Sequence, residues 1–141
     1  MSSSRLVLLL LALSLGLCFA QANLVRNPSF EQGDRTPSDW VLSAPPGAWE
    51  TSGNTGARCV SVGSTAADSV RIWSQSGIAV QPFTPYRFSF YVKSALDTTG
   101  GCAVSGPDFC NNDLQATPNW QQESHVFITR PDQKEVSIRL G

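Results

Sequence analysis

Tyr86-Arg87-Phe88-Ser89-Phe90-Tyr91-Val92-Lys93 alternates apolar and polar side chains along its length. Successive side chains of a strand point to opposite faces, so Tyr86, Phe88, Phe90 and Val92 fall on one side and Arg87, Ser89, Tyr91 and Lys93 on the other. The first set is suited to a core. The second is a polar face carrying one aromatic. Upstream, Val70-Arg71-Ile72-Trp73-Ser74-Gln75 repeats the arrangement, with Val70 and Ile72 expected on the core side and Arg71, Trp73 and Gln75 facing away from it.

The same period of two recurs along the chain, in short runs separated by Gly, Pro, Asn and Asp, and no stretch keeps apolar residues at helical spacing over ten or more positions. The pattern is all-β. Strands are expected at Leu24 to Glu31, Trp40 to Ser43, Ala48 to Thr51, Arg58 to Val62, Val70 to Val80 with a break near Gly77, Tyr86 to Ser94, weakly near Leu114, Glu123 to Thr129, and Glu135 to Leu140. So many short strands in this length of chain imply two antiparallel sheets packed face to face. At Val126-Phe127-Ile128 the alternation fails to say which side chains face inward.

The first residues read differently. A polar stretch ending in Arg5, an apolar run from Leu6 to Leu17 and the triplet Ala20-Gln21-Ala22 have the layout of a secretory signal peptide over residues 1–22. The run is too short to span a hydrocarbon layer of roughly 30 Å as a helix, so no membrane anchor is expected. The remaining domain, 23–141, would act outside the cell. Its acids and bases nearly balance, at a formal charge of −1 for the whole chain, and are evenly scattered, which offers no footprint for nucleic acid or anionic lipid.

Loss of residues 1–22 removes Cys18 and leaves Cys59, Cys102 and Cys110. Cys102 and Cys110 flank a short loop containing Gly106 and Pro107, and their pairing as a disulfide is expected in an oxidising compartment. Cys59 then behaves as a small buried hydrophobe. Three scattered cysteines and the single histidine, His125, lack the close paired spacing of a zinc site.

Asn23-Leu24-Val25-Arg26-Asn27-Pro28-Ser29-Phe30-Glu31, followed by Pro37-Ser38-Asp39-Trp40, resembles the start of the carbohydrate-binding modules related to those of cellulase C, within the galactose-binding-like jelly-roll group. Ser76 to Val80 leading through Tyr86 to Lys93, and Trp120 leading through Phe127 and Pro131 to Gly141, are similar to later parts of the same family, in the same order. The resemblance implies a two-sheet antiparallel jelly-roll β-sandwich. It also implies a final strand with an aromatic and paired acids beyond Gly141, without which the sandwich would stop one strand early, as a fragment of a longer polypeptide or a sheet completed by a partner strand.

Its functional implication is a secreted, non-catalytic module that holds a polysaccharide or oligosaccharide in a shallow groove. Flat aromatic rings stack on the apolar faces of sugar rings while polar neighbours bond the hydroxyls. Trp73 and Tyr91 would stack, Gln75, Arg71 and Arg87 would hydrogen-bond, and Trp49, after Pro45-Pro46-Gly47, would close one end; the competing reading has Trp73 and Tyr91 merely covering the sheet. Trp40 and Trp120 are expected to pack on the core. No cofactor is required, although similar domains hold a structural calcium for which Glu31 would be one ligand. Calcium needs about six to eight oxygens, and the acids of the expected final strand are missing from this chain.

An enzyme is not expected: there is no Gly-x-Ser-x-Gly elbow or His-Glu-x-x-His helix, and His125 lies within a strand. The rival expectations are a structural or adhesion sandwich that contacts proteins, for which Trp73 would lie inside the core, and a targeting module at the head of a glycoside hydrolase.

Overall fold

A computed structural model describes residues 22–63, 71–94, 104–105 and 117–141. The expected signal peptide, Cys102, Cys110 and the weak strand near Leu114 lie outside these residues. Among the described residues there is no helix, and every strand pairing is antiparallel. The strands are β1 (Val41–Leu42), β2 (Gly47–Glu50), β3 (Cys59–Val62), β4 (Trp73–Ala79), β5 (Pro85–Val92), β6 (Val104–Ser105), β7 (Gln121–Ile128) and β8 (Glu135–Leu140). They form a four-stranded sheet in the order β1-β4-β8-β6 and two pairs, β2-β3 and β5-β7.

The core lies between the four-stranded sheet and the two pairs. Trp73, Ile78 and Val80 from β4 and the residue after it join Val136 and Ile138 of β8 and Trp40, and against them pack Val60 and Val62 of β3, Tyr86 and Phe88 of β5 and Phe127 of β7. This layering is compatible with a β-sandwich. Trp40 is in the core as expected, its ring 5.0 Å from that of Phe30.

β4 corrects the expected sides. Trp73 is only 2% exposed and Gln75 is equally buried, on the core side rather than away from it. The reason is a β-bulge. Trp73, Ser74 and Gln75 pair with Leu140, Arg139 and Ile138, but Ile78 and Ala79 pair with Val136 and Glu135, so β4 gains one residue on β8 between Gln75 and Ile78. The extra residue brings odd-numbered Trp73 and Gln75 onto the same face as even-numbered Ile78 and Val80. Gly77 supplies the left-handed backbone, φ 64°, that the bulge requires. The Trp73 indole N–H donates to the Ser61 carbonyl at 3.0 Å, bonding β4 to the strand pair across the core.

The expected strand from Leu24 to Glu31 is also absent. Pro28 has no N–H to give a ladder, and Asn27 (φ 45°) and Phe30 (φ 61°) take left-handed conformations that turn the chain. Side chains replace the ladder. Asn27 Nδ2 donates to the carbonyls of Gln32 and Ser38, its Oδ1 accepts from the Gln32 N–H, and its own carbonyl accepts from the Trp40 indole. Gln75 acts as a substitute strand partner: the Arg26 N–H donates to its Oε1 at 2.8 Å, and its Nε2 donates to the Arg26 carbonyl at 2.8 Å. The Arg26 guanidinium then reaches Asp39 and the bulge carbonyls of Ser76 and Gly77.

Candidate functional site

β5 and β7 pair without interruption from Pro85↔Ile128 to Val92↔Gln121. Residues opposite each other share a face, so the register sorts both strands at once. Inward lie Tyr86 with Phe127, Phe88 with His125, and Phe90 with Glu123. Rings fill this side, with Tyr86 stacked on Phe127 at 5.8 Å and Phe90 on His125 at 6.0 Å. Outward lie Pro85 with Ile128, Arg87 with Val126, Ser89 with Ser124, and Tyr91 with Gln122. The open question at Val126-Phe127-Ile128 is thereby answered: Phe127 faces in, while Val126 and Ile128 are 65% and 64% exposed.

The regular ladder ends at Val92↔Gln121, and two bonds two residues out of register follow it. Ser94 N–H donates to the Thr117 carbonyl at 2.7 Å, and Thr117 N–H donates to Ser94 Oγ at 3.0 Å. Lys93 follows β5 with its side chain exposed, and its ammonium sits 4.8 Å from the centre of the ring of Trp120, the residue just before β7. Tyr91 is 46% exposed beside them. One outward surface thus carries, from end to end, Pro85 and Ile128, Arg87 and Val126, Ser89 and Ser124, and Tyr91 and Gln122, with Lys93 beyond them. A depression of about 290 Å³, lined by Pro85, Tyr86, Arg87 and Val126, lies at its near end.

Just before β5, Phe83 is 71% exposed in a left-handed conformation, φ 51°. A buried threonine holds that turn. Thr129 Oγ1 accepts from the Thr84 N–H and donates to the Gln81 carbonyl at 2.5 Å, while Thr84 Oγ1 donates to the Pro82 carbonyl. Phe83 is therefore held exposed at a backbone geometry that a bulky residue seldom adopts.

The expected binding residues separate into three places. Tyr91 and Arg87 share the outward face of β5. Trp73 and Gln75 belong to a different sheet and are buried, with Gln75 bonded to the main chain, so neither can meet a sugar. Arg71, just before β4, is half-buried, and its Nε makes no hydrogen bond among the described residues. Trp49 lies on β2, its indole N–H donating to the Phe30 carbonyl at 2.8 Å and one ring face covered by the Arg58 guanidinium at 4.3 Å. It fastens the loop before β3 rather than standing free at a rim.

Glu31, the expected calcium ligand, is engaged by the main chain. Its Oε1 accepts the Arg58 N–H at 2.8 Å, and no group of three metal-ligating His, Cys, Asp or Glu occurs among the described residues. Cys59 is half-buried, its Sγ 3.6 Å from the Ser52 carbonyl.

Sequence reasoning placed Trp120 against the core. Trp120 is instead half-buried beneath the Lys93 ammonium and is not among the residues packed on the core cluster. Comparison of the chain with protein-family models, with curated proteins and with solved structures finds no match.

Proposed function

We propose that the protein is a secreted, non-catalytic β-sandwich of jelly-roll, galactose-binding-like type that binds a polysaccharide or oligosaccharide on the outward face of β5 and β7. Tyr91 is the principal stacking platform. The observation that carries the reading is the grouping of exposed Tyr91 with Gln122 and Lys93 on one solvent-facing sheet surface, with Trp120 beneath the Lys93 ammonium. Ser89 and Ser124 add hydroxyls along the same face. The Lys93 side chain lies over Trp120 by a contact worth about 0.5–1 kcal/mol at an exposed site, so a sugar ring can replace it.

Affinity electrophoresis in gels containing soluble polysaccharides tests this. Tyr91→Ala and Trp120→Ala, each checked for native circular dichroism, are expected to weaken retention by roughly tenfold or more, the loss of a stacking ring worth over a kcal/mol. Unchanged retention of both folded variants, or no retention of the parent protein by any polysaccharide, defeats the proposal.

A second reading, a module that contacts proteins, is favoured by the burial of Trp73 and by the exposed Val126 and Ile128 at the other end of the face. It predicts that Val126→Ser with Ile128→Thr abolishes a protein association while leaving sugar retention intact.

A further inference from the structure

The charges on the outward face of β5 and β7 are all of one sign. Arg87 and Lys93 are its only ionised side chains among the described residues, and both lie on β5 or its direct continuation. Neither makes an ion pair among the described residues. The chain as a whole has slightly more acid than base, so this sign is a local property and not a reflection of composition. Glu123, the acid nearest in sequence on β7, faces inward opposite Phe90 and accepts from Gln121 Nε2 at 3.0 Å.

The order along the strand is cation, aromatic, cation: Arg87, Tyr91, Lys93. Arg87 and Lys93 are six residues apart, about 20 Å at the rise of a strand. A ligand that uses both must be extended, carry negative charge at separated points and present apolar ring faces between them. We infer that the ligand of this face is an acidic polysaccharide, its carboxylate or sulfate groups held by Arg87 and Lys93 and its ring faces by Tyr91. The inference rests on the carbohydrate-binding reading and adds the ligand's charge. A guanidinium pairs with a carboxylate or sulfate through two parallel N–H donors, and an ammonium acts as a compact point charge. Displacement of Lys93 from the Trp120 ring by a sugar leaves its ammonium free for such a group. Gln122, Ser89 and Ser124 suit a hydroxyl-rich chain better than a phosphodiester.

Matched ligands that differ only in charge test the inference: polygalacturonate against its full methyl ester, and a sulfated galactan against the same galactan desulfated. Polyglutamate and a single-stranded DNA serve as charge controls, all measured by calorimetry with the purified chain. The expected result is binding of one or both acidic polysaccharides roughly tenfold or more tighter than of the neutral partner, weakened as salt shortens the screening length from about 10 Å to about 3 Å. Arg87→Ser and Lys93→Gln should each lower that affinity by about tenfold, the scale of one charge-assisted hydrogen bond. The arm that binds separates carboxylate from sulfate recognition. If the neutral partners bind as tightly and both variants match the parent, the charge inference fails while the sugar reading stands. Equal binding of polyglutamate or DNA overturns it in favour of unspecific charge attraction. If no saccharide binds at all, both fail together.

Discussion

Replacing Gln75 with leucine removes a pair of hydrogen bonds while nearly keeping the side-chain volume, and so isolates what holds the segment before β1. The Arg26 N–H and carbonyl each lose a partner at 2.8 Å, and the Asp39 carbonyl loses a weaker one at 3.4 Å. An unsatisfied buried backbone group costs about 1–3 kcal/mol, and these groups are partly buried, so the expected destabilisation is about 2–4 kcal/mol. Urea denaturation at equilibrium would read it as a lower midpoint with an unchanged slope, together with a fall in melting temperature of roughly 10 °C. The Arg26 side chain provides the contrast. Its ion pair with Asp39 is exposed on both partners, and such pairs contribute about 0–1 kcal/mol, so Arg26→Ala should cost far less than Gln75→Leu. A Gln75→Leu protein within about 0.5 kcal/mol of the parent would refute the reasoning, because water would then be reaching the Arg26 main chain.

Trp73→Ala should destabilise by about 3–5 kcal/mol in the same denaturation assay, as the loss of a buried tryptophan from a core does. Gly77→Ala meets no atom closer than Glu135 Oε2 at 4.0 Å, so its cost, about 1–2 kcal/mol, should come from the left-handed backbone alone. Phe83→Gly relieves the same kind of strain at an exposed turn and should leave stability unchanged or raise it by up to about 1 kcal/mol, measured as a melting temperature. Thr129→Val removes the hydroxyl that bonds Gln81 and Thr84, and a loss of about 1–3 kcal/mol is expected, with faster hydrogen exchange at the Thr84 amide.

The alternation in Tyr86 to Lys93 was readable because its two faces differ in chemistry and its pairing with β7 has no irregularity. β4 was not, because a single inserted residue reverses the sides on either side of Gly77, and a glycine in a strand can equally mark a break. Leu24 to Glu31 looked like a strand by its apolar residues. Its fate was decided instead by Asn27, whose side chain offers the backbone other partners than a ladder. The expected site failed at Trp73 for the first reason and lost Trp49 to an indole hydrogen bond that no pattern shows. The cationic face was hidden by an even overall charge. It emerges only when the register shows that β7 sets Val126, Ser124 and Gln122, and no acid, opposite Arg87, Ser89 and Tyr91.

The indole hydrogen bond of Trp73 has a consequence beyond core volume. Apolar layers can slide over one another at little cost, since one arrangement of methyl groups and rings is nearly as good as the next, whereas a hydrogen bond to the Ser61 carbonyl exists at one offset only. Trp73 thus works as a locating pin between the four-stranded sheet and the β2–β3 pair. A Trp73→Phe protein would keep most of the buried surface and yet sample several offsets, and the amide resonances of Cys59 to Val62 would broaden well before the protein unfolded.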